Sequence, residues 1–222
     1  MCGRFALTLP DDAMARLFDA ALGAALMPGP RYNICPTQMI TTVVSRADGR
    51  RLLPMRWGFL PTWYGSDRDG PVLINARAET IDRKPAFRRA CRERRCLIPA
   101  TGYFEWLKSP EGTRLPIYIH PAKAEFITLA GIWQDWEAPD GRVLSTCAIV
   151  TTQASEALAS IHHRMPVMID PADHALWLGE RGRGAAVLMH PAPRDALRFH
   201  RVADAINSGR AEGSELIEPM ED

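Results

Sequence analysis

The fold class is decided by the segment 39-MITTVVSRADGRRLLPMRW-57, which reads as two strands joined by a tight turn. Residues 39–46 and 50–57 are rich in β-branched and apolar side chains, and Asp48-Gly49 separates them. An Asp-Gly pair between two such runs is typical of a two-residue β-hairpin turn. The segment therefore predicts an antiparallel hairpin.

A second hairpin is predicted for residues 126–136 with 142–151, and it turns at Asp140-Gly141. Shorter strands are predicted at 3–8, 72–75, 95–98, 102–107 and 115–120. Strands dominate, and hairpin turns connect them in place of long crossovers. The sequence therefore predicts an α+β fold, mainly antiparallel, with a curved or barrel-like sheet and flanking helices.

An alanine-rich amphipathic helix is predicted from about Asp11 to Leu22, with Pro10 before it and Gly23 after it. Further helices are predicted at 84–93, 153–160 and 171–178, the last with Asp170 as its cap and Pro171 at its first position. No internal repeat or linker interrupts the chain. We expect one domain over residues 1–222, with a loosely held tail after about residue 209.

Composition is that of an ordinary globular protein, with 46% hydrophobic and 24% charged residues in 222. No apolar run reaches the roughly 18 residues of a membrane helix. The first residues lack the basic-then-apolar pattern of an export signal. We therefore expect a cytoplasmic protein that makes no membrane contact and is a monomer.

Five cysteines are present, at positions 2, 35, 91, 96 and 147. The number is odd and no Cys-x-x-Cys pair occurs, which argues against a disulfide framework or a structural zinc site. We expect no metal and no cofactor. Four of the thiols are interpreted as inert, whereas Cys2 stands out by its position.

Charge is unevenly distributed along a chain whose net charge is only +1. Residues 77–95 contain eight basic side chains and three acidic ones, a local surplus of +5. The tail after Gly209 is acidic. The basic stretch is compatible with phosphate contacts, and equally with the solvated face of a helix.

Cys2 follows the initiator Met1 directly, and removal of Met1 would give it a free α-amine. Its amine, with an ordinary pKa of about 7.7–8.0, and its thiol, at about 8.5, would both be reactive near neutral pH. The amine can form a Schiff base with an aldehyde, and the thiol can then close on the same carbon as a five-membered thiazolidine. No internal cysteine can react in this way because its nitrogen is an amide.

Other chemically capable residues lie inside apolar, strand-like segments. Glu105 lies between aromatic residues that should desolvate it, and burial raises a carboxyl pKa toward the range useful for proton transfer. His162 follows a predicted helix and needs little tuning for acid–base work. Taken singly, Glu105 could equally be half of a buried ion pair and His162 a structural histidine.

Seven sequence motifs, taken together in their order and spacing, favour the catalytic interpretation of these residues over the structural one. They are Met1–Arg4, Arg31–Pro36, Trp57–Trp63, Asn75–Thr80, Arg95–Pro99 leading to Glu105-Trp106, Ala130–Trp133 and His162–Pro166. The series resembles the SRAP family of abasic-site processing proteins, and the resemblance runs from Cys2 to about Pro219.

The resemblance implies a role for each matching residue. Cys2 would be the nucleophile, Glu105 would orient the amine and move protons, and His162, favoured over His163 by its spacing to Arg164, would assist opening of the sugar ring. Asn75 would hold nucleophile and sugar. The DNA contacts would be phosphate ligands at Arg4, Arg77 and Arg164 and channel-lining residues at Asn33, Pro36, Trp63 and Thr151.

The activity implied by the resemblance is a covalent crosslink to an abasic site in single-stranded DNA, with associated lyase activity and removal of the protein's own Met1. Two other functions remain open. The opening Met-Cys-Gly also suits an N-terminal-nucleophile amidohydrolase that hydrolyses an amide with the same thiol and amine. The basic stretch and six tryptophans would also suit a non-covalent module that binds single strands.

Overall fold

The computed structural model describes residues 2–23 and 26–220. Within these ranges the strands are β1 (Phe5–Leu7), β2 (Ala20–Leu22), β3 (Arg31–Ile34), β4 (Met39–Arg46), β5 (Gly49–Trp57), β6 (Asn75–Arg77), β7 (Arg95–Ala100), β8 (Gly102–Lys108), β9 (Arg114–Pro121), β10 (Ile127–Glu137), β11 (Val143–Gln153), β12 (Arg164–Pro166) and β13 (Leu197–Arg201). The helices are α1 (Asp11–Phe18), α2 (Arg88–Glu93) and α3 (His174–Leu178). Short 3-10 helices cover Pro171–Asp173, Ala185–Leu188, Asp204–Asn207 and Ser214–Ile217.

One sheet closes into a five-stranded barrel in the order β11-β10-β7-β4-β5. The ring is completed by a parallel pairing of β5 with β11, in which Arg56 and Trp57 lie opposite Thr146 and Cys147. β12 and β6 add to β11, and β2 adds to β5. The predicted α+β class with a barrel-like sheet is confirmed.

The second sheet is antiparallel throughout, in the order β13-β9-β8-β1-β3. Strand β1 positions Cys2 next to β8, because Cys2 lies just before β1 and β1 pairs with β8. The parallel pairings in the described chain, β2 and β11 with β5 and β6 with β11, all belong to the barrel sheet.

Both predicted hairpins are confirmed. β4 and β5 pair from Met39 opposite Arg56 to Arg46 opposite Gly49. β10 and β11 pair in the same antiparallel manner. Gly49 and Gly141 have φ of 118° and 80° at the two turns. Such positive φ values suit glycine, which is why the Asp-Gly pairs marked the turns correctly.

Several element boundaries differ from the prediction. The helix expected to reach Leu22 ends at Phe18, where Asp19 takes a left-handed conformation with φ of 48°. Residues 20–22 then run parallel to β5 as a strand. The open edge of β5 offers hydrogen bonds to these alanines, which outweighs their helical propensity.

The helix predicted at 153–160 is wrong, because Gln153 is still paired as part of β11, opposite Arg164 of β12. The residues between form consecutive turns that connect the two strands. The helix predicted at 84–93 begins only at Arg88. The strand predicted at 72–75 starts at Asn75 and continues to Arg77.

The helix predicted at 171–178 forms as a 3-10 turn followed by α3. Trp177 of α3 anchors it, because its indole Nε1 donates to the Cys96 carbonyl oxygen at 2.8 Å. No helix in the described ranges has both the length and the apolar character needed to span a bilayer.

The C-terminal segment packs on the second sheet. Leu216 is buried in a cluster with Phe104 and Tyr118. His200 of β13 lies with its Nε2 at 2.9 Å from the carbonyl oxygen of Ile217. The end of the described chain is therefore tied to the sheet that carries β1.

His174 is a buried histidine where α3 meets α1. Its ring stacks on Phe18 with centroids 5.1 Å apart, and only 2% of the residue is exposed. Burial lowers the pKa of His174 to about 4, and the positive charge of Arg50 acts in the same direction.

Replacement of His174 by leucine should make stability less sensitive to acid. Below the ordinary pKa of 6.5 the unfolded chain takes up a proton that the folded chain refuses until about pH 4. Stability present above pH 6.5 is therefore lost as pH falls, by about 3 kcal/mol at pH 4. Urea unfolding at pH 7.5 and pH 5 measures this difference. The exposed His190→Leu serves as the control; an undiminished pH dependence in His174→Leu would contradict the assignment.

Candidate active site at the start of the first strand

The pairing of β1 with β8 brings Cys2 beside Glu105. Phe5 lies opposite Tyr103, and the backbone N–H of Phe104 donates to the carbonyl oxygen of Arg4 at 2.9 Å. Because the strands are antiparallel, residues before Phe5 run alongside residues after Tyr103. The residue with the unusual chemistry and the predicted acid therefore meet, although about 100 residues separate them.

The Cys2 thiol is fully buried. Burial raises its pKa, and the negative charge of Glu105 raises it further. Its Sγ lies 4.0 Å from the carbonyl oxygen of Arg4. At neutral pH this sulfur is a thiol.

Asn75 holds the backbone of Cys2. It is the first residue of β6, which runs parallel to β11, and its side-chain Nδ2 donates to the Cys2 carbonyl oxygen at 2.9 Å. Its Oδ1 is buried and makes no hydrogen bond within the described chain. The amide therefore fixes the backbone of Cys2 with its donor end, and its acceptor end has no partner within the described chain.

Glu105 is buried, as the sequence predicted, with 4% of the residue exposed. Burial raises its pKa, and the positive charge that His163 can carry opposes that effect. Its sequence neighbour Phe104 packs in a separate cluster with Tyr118. Alternation along β8 thus turns Glu105 away from the aromatic neighbour that was expected to desolvate it.

Tyr103 is a site residue that sequence reasoning missed. It lies two residues before Glu105, on the same face of β8, and is fully buried. Burial raises its pKa well above the ordinary value, and the charges of Cys2 and Glu105 add to this. Its hydroxyl makes no hydrogen bond within the described chain. A tyrosine inside an apolar strand reads as core, so only the burial of a polar hydroxyl could have marked it.

The two neighbouring histidines stack on each other, with ring centroids 4.4 Å apart. Nδ1 of His162 lies 2.9 Å from the backbone nitrogen of Arg164. Burial lowers the pKa of His162, whereas the pKa of exposed His163 is lowered chiefly by His162. Both rings are therefore largely neutral at pH 7, and His163 is near enough to Glu105 to influence the pKa of that carboxyl group.

Arg77 and Arg164 line a common cavity of about 390 Å³, together with Gln153, Ala154, Ala159 and His163. Arg77 ends β6 opposite Thr151 and is exposed. Arg164 is only 8% exposed and forms a double ion pair with Glu79. It also donates to the buried Thr151. The structure thus brings three predicted DNA-contact residues together.

Arg4 and Asn33 are engaged with the C-terminal segment. Nη1 of Arg4 donates to Asn33 Oδ1 at 2.7 Å and to the Ile206 carbonyl oxygen at 2.9 Å. Asn33 Nδ2 donates in turn to the carbonyl oxygens of Ser208 and Ala211. The guanidinium of Arg4 also lies 5.7 Å from the ring centroid of Trp106. These contacts fix where the Arg4 side chain points.

Pro36 and Trp63 lie on loops after β3 and β5. Trp63 is 60% exposed, an unusual state for an indole, and packs edge-on against Tyr64. Pro36 is half-buried in a turn where Thr37 has a positive φ of 73°. Thr37 is held there because its N–H donates to the Trp57 carbonyl oxygen at 2.7 Å.

Only part of the basic stretch, residues 77–95, forms an exposed basic surface. Most of its eight basic side chains are exposed, but Arg94 pairs with Asp135, and Arg95 donates to the backbone of α3. On α2, Arg89 pairs with Glu93. Across residues 2–23 and 26–220, no cluster of three or more His, Cys, Asp or Glu side chains has the proximity needed to ligate a metal ion.

Comparison with known proteins matches this arrangement to one family. The profile described as SOS response associated peptidase (SRAP) matches residues 1–209. The protein is 34% identical to "Abasic site processing protein YoqW" of Bacillus subtilis (strain 168), over 98% of this chain and 99% of that one. It is 29% identical to "Abasic site processing protein HMCES" of Mus musculus, over 100% of this chain and 76% of that one.

Solved structures agree at the level of the fold. A protein from Bacteroides thetaiotaomicron superposes with a TM-score of 0.87 at 22% identity, over 99% of this chain and 100% of that one. A phage-related protein from Bordetella bronchiseptica gives a TM-score of 0.69 at 29% identity, over 90% of this chain and 94% of that one. The profile match over nearly the whole length and the full-length relatives place this chain in the SRAP family, among proteins named for processing abasic sites.

Proposed function

We propose that this protein processes abasic sites in single-stranded DNA by forming a thiazolidine between Cys2 and the ring-opened sugar aldehyde. The observation that carries the proposal is the convergence of three groups at one point. The Cys2 thiol is buried beside Glu105, and Asn75 holds the Cys2 backbone at 2.9 Å. The names of the relatives agree with an abasic-site substrate.

The reaction begins once hydrolysis of the Met1–Cys2 peptide bond has freed the α-amine of Cys2. Met1 itself lies outside the described residues, and its self-catalysed removal is part of the proposal. The free amine adds to the C1′ aldehyde and gives a carbinolamine. Loss of water gives an iminium ion, attack by sulfur closes the ring, and the net change is aldehyde plus aminothiol to thiazolidine plus water.

Glu105 serves both proton transfers in this sequence. With its pKa raised by burial, the carboxyl group donates a proton to the departing hydroxyl of the carbinolamine. The carboxylate so formed takes the thiol proton as sulfur attacks the iminium carbon. The raised pKa of the Cys2 thiol fits this order, because the sulfur stays protonated until a base stands beside it.

His162 assists the step that precedes crosslinking. An abasic sugar is mostly a closed hemiacetal, and opening it needs a proton moved from the C1′ hydroxyl to the ring oxygen. A neutral imidazole at pH 7 can accept the proton from the C1′ hydroxyl and can donate a proton to the ring oxygen. Asn75 Oδ1 accepts a hydrogen bond from a sugar hydroxyl or from the Cys2 amine. The same groups would catalyse the reverse proton transfers and so release the crosslink. Cleavage of the strand from the Schiff base would account for lyase activity.

The strand itself is held through phosphates and stacking. Arg77 and Arg164 line the cavity beside His163, and the buried Thr151 accepts hydrogen bonds from Arg164. Arg4, two residues after Cys2, is held by Asn33 in the antiparallel sheet, and the exposed Trp63 offers a ring face for stacking. Because an abasic target has no base to read, phosphate contacts should dominate affinity. We propose a monomer that acts on cytoplasmic DNA.

Cys2→Ala should abolish the denaturant-resistant band formed with an abasic oligonucleotide, while reversible binding of the strand remains. The variant is prepared without Met1, so that its first residue is the alanine, which keeps the free amine but lacks the sulfur that closes the ring. Borohydride should still trap its Schiff base. Cys91→Ala, which alters a half-buried thiol on α2, is the matched control. A stable band from Cys2→Ala would overturn the thiazolidine.

The same assay separates the two other functions. A non-covalent binding module would give no band with the processed wild type and equal affinity for intact and abasic strands. An amidohydrolase would release ammonia from glutamine instead.

Glu105→Gln should slow crosslinking by roughly 10²–10⁴-fold, the usual contribution of a general acid–base group. The glutamine amide has the shape of the carboxylic acid, but it cannot donate a proton to the carbinolamine or accept one from the thiol. Single-turnover crosslinking rates measured by denaturing gel at pH 6–8 give the size of the effect and its pH dependence. Glu111→Gln, in an exposed loop, is the control. Equal rates for Glu105→Gln and wild type would remove Glu105 from the mechanism.

Arg77→Gln should weaken binding of single strands uniformly across sequences. Loss of one phosphate contact should also flatten the dependence of log affinity on log salt by about 0.7. Fluorescence anisotropy between 50 and 200 mM salt measures both quantities. Arg194→Gln, an exposed arginine paired with Glu156, is the control. Unchanged affinity in Arg77→Gln would place the phosphate path elsewhere.

A further inference from the structure

Glu79 occupies the guanidinium of Arg164 in the way a phosphate would. Its Oε1 accepts from Nη1 at 2.7 Å and its Oε2 from Nη2 at 3.0 Å. This paired arrangement of two acceptor oxygens is also how a phosphate meets an arginine. The carboxylate and a backbone phosphate cannot both fill this edge of the guanidinium.

The two partners differ sharply in exposure. The Arg164 side chain is 8% exposed and that of Glu79 is 46% exposed. Arg164 is also held from behind, because Nη2 donates to the carbonyl oxygen of Thr151 at 2.7 Å and to its Oγ1 at 3.2 Å. Glu79 can therefore swing into water while the arginine stays in position.

The surroundings favour an anion once the carboxylate has left. Arg77 and His163 share the adjoining cavity of about 390 Å³ with Arg164. Arg164 Nε is buried without a hydrogen-bond acceptor within the described chain. An unpaired buried guanidinium is costly, so one anion must take the place of the other. The exchange costs little when the incoming anion is already held by Arg77.

We propose that Glu79 is an internal competitor of DNA phosphate for Arg164, a gate that a bound strand displaces. The inference rests on the proposed function, because it assumes that a single strand enters this cavity. A strand that is bound at several phosphates gains enough binding free energy to displace Glu79 from Arg164. A short or isolated anion does not gain enough and leaves the ion pair intact.

Glu79→Gln should bind an undamaged single-stranded oligonucleotide about tenfold more tightly than wild type, as expected when a phosphate gains a charge-assisted hydrogen-bond pair without displacing an anion. The salt dependence of log affinity should stay close to that of wild type, because the strand places a phosphate on Arg164 in both proteins. Undamaged DNA keeps crosslinking out of the measurement. Asp82→Asn is the matched control, because it removes an exposed acid three residues away in the same basic stretch.

A double-mutant cycle with Arg164→Gln decides between the explanations. Displacement at Arg164 requires that Glu79→Gln have no effect on affinity when Arg164 is absent. An equal gain in both backgrounds, or a gain that disappears at high salt as a gain in Asp82→Asn should, would mean general charge repulsion and overturn the gate. Weaker binding by Glu79→Gln would make Glu79 a support for Arg164 and also overturn it.

Two safeguards keep the test decisive. Where Arg164→Gln fails to fold, the salt dependence of the gain still separates the two explanations, because relief of repulsion is screened by salt and release of the buried Arg164 is screened much less. Wild type that bound no single strand would sink the proposed function itself. Wild-type binding with no gain in Glu79→Gln would sink only the gate.

Discussion

The backbone hydrogen bond from the N–H of Phe104 to the carbonyl oxygen of Arg4 holds the chain beside Cys2 against the eighth strand and sets the geometry of the site. Strand β1 is three residues long, and at its other end the N–H of Thr101 donates to the carbonyl oxygen of Ala6 at 2.8 Å. A slip of one residue would turn Cys2 to the opposite face of the sheet and remove its thiol from Glu105. The chemistry proposed for Cys2 therefore depends on strand pairing before it depends on any catalytic side chain.

Burial is the second constraint, and it gives the site its acid–base character. Cys2, Tyr103 and Glu105 lie inside the protein, where the charged form of each group is disfavoured. An exposed carboxyl group would lack the rise in pKa that burial gives Glu105. The barrel and the antiparallel sheet therefore supply the environment, and the side chains supply the groups for the proposed reaction.

Local signals in the sequence were reliable where the decisive contact is local. Asp48-Gly49 and Asp140-Gly141 marked hairpins because a two-residue turn needs a positive φ within the turn itself. The ordered motifs located Cys2, Asn75 and Glu105, which the structure brings together. Residues 20–22 were missed as a strand because whether they form helix or strand depends on the free edge of β5, which is distant in the chain.

The same limit explains what was missed at the site. Arg164 could be marked as a phosphate ligand from its motif, but its partner Glu79 is 85 positions away and carries no signal of its own. Tyr103 read as core because an isolated hydroxyl in an apolar strand has no distinguishing pattern. Such pairings follow from the order of strands in three dimensions, which a single sequence does not reveal.

The contacts of Arg4 with Asn33 and with the carbonyl oxygen of Ile206 have a consequence for protein synthesis. The bond from Arg4 to Ile206 spans 202 positions. During translation the first strand emerges early and must wait for this partner until residue 206 has left the ribosome. A shorter nascent chain therefore lacks the contacts that fix Arg4, so this side of the proposed site is completed late in synthesis.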